Sequence, residues 1–504
     1  MILYSMLSLT KRMILFRVKR KSNPEIDFLL ILNRKKYWFL IMKVMRGYRI
    51  IVQRKDSMNI ALCHYRVGET DGVSLEMDKW KKVLENMGHK VYFIAGSTGT
   101  SDGYIIPEMN YRFEEDLKIE RNAYLKLEDY QDEDELIRAV RKQTLKIEEA
   151  LKKILIENKR DLIIPNNILS IGRSIPTAMA FTNVIKELGI RCIGHHHDFY
   201  WERKNFSHPT CNFVRKVLEE YYPPKDDLIS HVVINSIVQK ELKTRRGLDS
   251  IIIPNIFDFN EKLWEVDDYN KGFREKLGIK DNDILMLQAT RVTNRKAIEL
   301  AIDVVEEMQK KENRKILEEA KLYNGKSFKE DSRIVLVLAG MIETADDYVE
   351  RLKTRAEESN VELLFVNNLV EHSRCVKNNN KIYSLWDTYV FADIVTYPSI
   401  QEGWGNQFLE GLFAKKPMLV FEYDVYKEDI KRKGFKVISL DDKYGLDECG
   451  LAKVSKGVIK RAAGECIRLL IDKDCREKMV EENFQLGREF FSHESLEEKL
   501  KIAV

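Results

Sequence analysis

Cysteine is sparse and unpatterned in this chain of 504 residues: seven are scattered at positions 63, 192, 211, 375, 449, 466 and 475, without a Cys-x2-Cys pair. The odd count and irregular spacing exclude a disulfide framework and a cysteine-built zinc site, and they fit a reducing cytosol. Long apolar runs are missing too. No stretch reaches the roughly 18 uninterrupted apolar residues of a spanning helix, because Lys19-Arg20-Lys21 and Arg34-Lys35-Lys36 break the apolar pieces near the N-terminus. The first of those pieces lacks the small-residue cleavage pattern of a signal peptide. Positive charge has no surplus in the body of the chain: residues 1–57 hold fourteen Lys/Arg against three Asp/Glu, which leaves 70 basic and 77 acidic residues elsewhere. A body of negative net charge offers no electrostatic footprint for nucleic acid. Glycine is absent from Glu108 to Arg160, where the charged, helical pattern reads as an insertion of about 108–160.

The basic segment 1–57 reads in two ways. It is either a leader ahead of a domain whose first strand starts directly after Met58, or a cationic, aromatic segment that makes peripheral contact with an anionic membrane surface. The place implied is the cytoplasm, and in the second reading the inner face of the membrane.

What is present is a repeated alternation of short apolar runs and helical patterns, in a chain long enough for two cores. Asn59 to Tyr65 reads as an interior parallel strand, the loop Arg66 to Val73 carries Gly68 and Gly72, and a helix then leads to the strand Val91 to Ala95. This is a βαβ unit. The glycines between 96 and 103 do not have the G-x-G-x-x-G spacing and read as a loop. The sheet resumes at Asp161 to Asn167, at Arg191 to Gly194 and at His231 to Ser236, and Ile251 to Asp258 leads out of the domain near residue 260. A second doubly wound sheet opens with Ile284 to Thr290 and occupies 261–480, and a charged helical tail, 481–504, follows. The fold class is α/β, with two Rossmann-like domains facing a central cleft.

The most informative run is Glu402-Gly403-Trp404-Gly405-Asn406-Gln407-Phe408-Leu409-Glu410. It follows the short buried strand Ile394 to Tyr397 and turns into a helix whose apolar positions are Phe408, Leu409, Leu412 and Phe413. The unpaired N–H groups and dipole of that helix start attract an anion such as a diphosphate. Glu402 on the entering loop and Glu410 about two turns inside can then take hydroxyls of a hexose and of a ribose. A basic pair, Arg291 and Lys296, stands on another strand-to-helix turn and can meet a diphosphate from two sides; Arg295 between them reads as the bystander. At a third strand end, His195-His196-His197-Asp198 precedes Arg203. Adjacent histidines in an extended segment alternate faces, which opposes a tri-histidine metal site.

The paired glutamates, the basic pair and the strand ending in His197-Asp198 resemble the retaining GT-B glycosyltransferases of family 4, the glycosyl transferases group 1, over about residues 58 to 480. The resemblance implies transfer of a hexose from a nucleotide-diphosphate sugar to an acceptor. It gives His197, Arg291, Lys296 and Glu402 catalytic places. It puts Gly68, Gly72, Gly403, Trp404, Gly405, Asn406 and Glu410 on the donor, and leaves Asp198 and Arg203 to the acceptor. His195 competes with His197 for its place, and His196 reads as a core residue. The 68–72 loop departs from the family's usual glycine pair. The tail would cross back to the first domain. No Asp-x-Asp stands at a strand end, since Asp281 and Asp283 lie in a turn, so no metal or other cofactor is expected and the partners are a sugar donor and an acceptor. A nucleotide-sugar epimerase of the same architecture, or a non-catalytic sugar-nucleotide-binding protein, are the other readings.

Overall fold

The computed structural model describes residues 57–69, 71–99, 101–344 and 347–504, together with the backbone of three N-terminal strands, Met13–Arg20, Asn23–Ile31 and Arg49–Val52. Those strands pair antiparallel, with Met13–Arg20 in the middle. The side chains through which segment 1–57 would meet a membrane lie outside the described residues. Among the described residues no helix is long and apolar enough to cross a membrane.

Two parallel sheets form the body. The first has seven strands in the spatial order Ser250–Ile252, Ile229–Val233, Arg191–His196, Leu162–Pro165, Asn59–His64, Lys90–Ala95, Gly103–Ile105. The second has six, in the order Glu362–Phe365, Ile334–Leu338, Ile284–Gln288, Ile394–Tyr397, Met418–Val420, Ile438–Ser439. Every pairing within both sheets is parallel. Strands such as Ile284–Gln288 and Ile334–Leu338 are buried at every position, as continuous apolar runs must be when helices cover both faces. In each sheet the chain builds outward, returns to the centre and builds the other way. The reversals fall between Asn59–His64 and Leu162–Pro165, and between Ile284–Gln288 and Ile394–Tyr397. The loops leaving the carboxyl ends of those four strands splay apart and make the crevices where open α/β sheets take ligands.

The glycine-free segment forms two helices, Glu114–Tyr124 and Glu133–Glu157. Asp132 caps the second by accepting from the Glu135 amide at 2.8 Å, and Leu136, Val140, Ile147, Leu151 and Leu155 supply its buried face. The C-terminal tail is two helices, Lys473–Phe491 and His493–Ala503. They break where Ser492 turns extended and its hydroxyl accepts from the Ser495 amide at 3.2 Å. Leu496 and Leu500 of the last helix, and Val504 directly after it, are buried in one cluster with Ile60, Leu62, Trp80 and Val232 of the first domain.

Candidate active site

The helix Asn406–Phe413 starts at Gly405, whose φ is 124°. A side chain there would be strained in any event, and its Cβ would run into the hydroxyls of Tyr423 and Tyr397. The Tyr423 hydroxyl donates to the Trp404 carbonyl at 2.6 Å. The Trp404 ring is buried edge-on against Phe491, with centroids 5.3 Å apart, which leaves its backbone to the helix start. Gly403 remains exposed.

Behind this helix start, Glu402 and Lys296 form a buried ion pair, and Arg295 Nη1 donates to the second Glu402 oxygen at 2.8 Å. Burial works against the Glu402 charge, but Lys296 and then Arg295 outweigh it and hold its carboxyl below the usual range. Burial lowers the Lys296 ammonium, with Glu402 restraining the shift. Glu410 accepts from the Tyr389 hydroxyl at 2.6 Å, and burial raises its pKa. The Lys296 charge acts on both glutamates.

Arg291 and Arg295 both stand near Lys296, and the charges of both act on its ammonium. Arg291 is half-exposed and pairs with Glu343 at 2.6 Å, whereas Arg295 reaches Glu402. The cause is local. Residues Asn294–Lys296 make a single 3-10 turn, and Ala297 after it adopts φ 46°. That turn puts Arg295 and Lys296 on the glutamate together. A left-handed alanine costs roughly 1–2 kcal/mol.

On the first domain, the histidines are organised by an asparagine pair that the sequence reading passed over. Asn167, in the left-handed region at φ 58°, accepts from the His197 amide at 2.7 Å and the Asp198 amide at 3.3 Å. Asn166 holds His195 Nδ1 through its side-chain oxygen and His64 Nδ1 through its carbonyl, both at 2.8 Å. A carbonyl only accepts, so His64 is protonated on Nδ1 and presents Nε2 as an acceptor. Burial lowers both His64 and His197 to about 4, so both rings are neutral at pH 7. His195 stacks on Trp80 with centroids 4.2 Å apart, and its Nε2, like that of His197, has no hydrogen-bond partner, while His196 bonds His231 at 3.0 Å. Asp198 and Arg203 pair with each other at 2.5 Å. Among the described residues no three metal-ligating side chains converge.

The two halves meet at the helix start. Asn235 Nδ2 donates to the Gly403 carbonyl and Asn255 Nδ2 to the Asn406 side-chain oxygen, each at 2.8 Å. A Cβ placed on Gly72 would stand 3.5 Å from Asn406 Nδ2. Gly68, at φ 70°, lies packed against Gly99. The 68–72 loop, the histidine strand end, Lys296 and the Glu402–Glu410 run therefore line one interdomain region, and Arg291 acts on Lys296 from its exposed side.

Two Rossmann-like domains with such a region between them are the architecture of a GT-B glycosyltransferase. The family model described as glycosyl transferases group 1 matches residues 270–484, and the chain belongs to that family and is a glycosyltransferase. It is 45% identical over 434 residues to the mannosylglucosylglycerate synthase of Petrotoga mobilis, covering 86% of this chain and 98% of that protein. To the Thermotoga maritima protein of the same name it is 40% identical over 445 residues, covering 88% and 99%. Among solved structures it resembles a glycosyltransferase from Rickettsia africae, with a TM-score of 0.57 at 13% identity over 89% of this chain and 98% of that one. It also resembles the sucrose-phosphate synthase of Thermosynechococcus elongatus, with a TM-score of 0.51 at 14% identity over 88% and 98%. These two likenesses concern the fold.

Proposed function

We propose that this enzyme transfers a mannosyl group from a nucleotide-diphosphate mannose to glucosylglycerate, with retention at the anomeric carbon. The observation that carries the reading is the 45% identity to the Petrotoga mobilis protein across 98% of its length. The geometry supports it. Leaving-group stabilisation needs fixed positive charge beside a helix start, and Lys296, Arg295 and the N-terminus of helix Asn406–Phe413 offer that. Glu402 keeps the two cations in place until a diphosphate shares them, and Glu410 is set to take ribose hydroxyls. His197, neutral and with Nε2 free of a hydrogen-bond partner, faces the transferred sugar as a donor or acceptor rather than as an acid. The departing phosphate takes the acceptor's proton as the new glycosidic bond forms on the same face. No metal is assigned to this step.

The test is incubation with GDP-, UDP- or ADP-mannose and glucosylglycerate, with and without EDTA, and product analysis by mass spectrometry and proton NMR. A disaccharide-bearing glycerate product with the donor's anomeric configuration, formed in EDTA, is the expected result. Isomerised nucleotide sugar without a new glycoside, or binding without turnover, overturns it.

A further inference from the structure

The first domain gathers three guanidinium groups around one aromatic ring. Arg66, Arg112 and Arg173 have Cζ at 4.8, 5.3 and 4.5 Å from the centre of the Tyr111 ring, and Arg66 also donates to the Tyr111 hydroxyl. Three like charges at such range repel one another unless anions share them. The carboxylates present do this incompletely. Arg66 divides itself between Glu69 at 3.0 Å and Asp71 at 3.2 Å. Asp71 is also occupied as the cap of helix Gly72–Asn86, accepting from the Val73 and Ser74 amides at 3.1 and 3.2 Å. Arg173 faces Glu120 at 3.6 Å, and its Nε is buried without a hydrogen-bond partner. Arg112 is exposed and pairs with no carboxylate among the described residues. Burial raises the Glu120 carboxyl, and raises the neighbouring Asp116 to about 7, which weakens the negative charge on that side further.

The cluster stands beside the reaction region. Arg66 lies two residues past His64, and the charges of Arg66 and Arg173 both act on the His64 ring. The loop from Arg66 to Gly72 ends against Asn406, at the start of the second domain's helix.

We propose that Arg66, Arg112 and Arg173, arranged around Tyr111, bind the carboxylate of the acceptor and make the enzyme choose a glycosylated glycerate over a neutral glycoside. The inference rests on the mannosyl-transfer reading above and deepens it. Arginine suits the task because its planar fork meets a carboxylate with two parallel hydrogen bonds, and because stacking on an aromatic ring fixes the fork before the anion arrives.

The experiment compares kcat/KM for glucosylglycerate with that for glucosylglycerol, which has a hydroxymethyl group in place of the carboxylate, using the mannose donor that wild type accepts. Wild type should prefer the carboxylate. In Arg173→Gln that preference should fall roughly ten- to a hundredfold, mainly through KM for glucosylglycerate, and Arg173→Lys should restore part of it. Arg112→Gln, at an exposed position, carries the same comparison if Arg173→Gln does not fold. Equal losses on both acceptors, an unmoved ratio in both glutamine variants, or a wild type indifferent to the carboxylate overturns the assignment and leaves mannosyl transfer standing. Absence of transfer to glucosylglycerate from every mannose donor overturns the transfer reading, and this inference with it.

Discussion

Lys296 and its two neighbours show how little sequence distance decides a role. The lysine is buried against a carboxylate that a second cation also holds. Truncating it leaves Glu402 with Arg295 alone. Lys296→Ala should lower kcat by roughly 10- to 1000-fold, as loss of a preorganised electrostatic group does. Arg295→Ala should cost more than Arg291→Ala, because Arg291 spends its charge on exposed Glu343. Steady-state kinetics of the three variants decide it; a larger loss for Arg291 reverses the assignment. The spacing displays the pair Arg291 and Lys296, but the contact of Arg295 with Glu402 depends on a 3-10 turn and a left-handed alanine, which no periodicity displays. A second residue-scale test concerns His197. Its folded pKa of about 4 lies below an ordinary 6.5, so the unfolded chain binds more protons between those values. The stabilisation is complete above about pH 6.5 and is lost as pH falls towards 4. The difference in unfolding free energy between pH 7 and pH 5 should therefore be about 2 kcal/mol smaller in His197→Asn than in wild type. Asp116 and Glu202, raised by burial to about 7, contribute in the opposite sense and are common to both proteins. An unchanged pH slope in chemical denaturation shows that the ring is not neutral in the fold.

At the level of elements, the strand-turn-helix from Ile394 to Phe413 was legible because each of its signals is local: a buried apolar run, a proline stop, glycines, then helical spacing. The fold follows these signals closely, and Gly405 carries the most constrained of them. Gly405→Ala places a Cβ in contact with two tyrosine hydroxyls at a φ of 124°. The chain must move there, at a cost of about 1–3 kcal/mol, and the movement displaces the helix start itself. The variant should melt at a lower temperature and lack the thermal shift expected of wild type with the proposed nucleotide-diphosphate sugar. A preserved shift would detach the helix start from donor binding. The helices between 108 and 160 teach the opposite lesson. Their existence was plain from an absence of glycine and an amphipathic pattern, yet the placing of Tyr111 among Arg66, Arg112 and Arg173 was not. Those side chains come from three loops brought together by the sheet order, and an aromatic residue ahead of a charged helix carries no mark of that. The same holds for Asn166 and Asn167. An asparagine pair at a strand end signals a turn, but which histidines it will hold depends on the neighbouring strand.

For the whole molecule, the decisive feature is that the last helix belongs to the opposite domain. The chain crosses out of the first sheet after Ile252, builds the second domain, and returns so that Phe257 and Phe491 meet through a backbone hydrogen bond of 2.8 Å. His493–Ala503 then lies on helix Gly72–Asn86, with Leu496 and Leu500 fully buried. The two crossings lie side by side, and Asn235 and Asn255 bridge from the first domain to the glycine loop of the second. A domain that receives part of its core from the far end of the chain cannot be complete until that end is docked. Removing one buried leucine leaves a cavity next to Trp80 and Leu84, and Leu500→Ala should destabilise by about 2–5 kcal/mol. The loss falls on the first domain, so calorimetry should show its unfolding separating from that of the second domain and moving to lower temperature. Stabilisation by donor should persist, because Lys296, Glu402 and Glu410, which we propose hold the donor, sit on the second domain. A single undivided transition that moves as a whole would mean instead that the interdomain contacts couple both halves more strongly than the last helix anchors either.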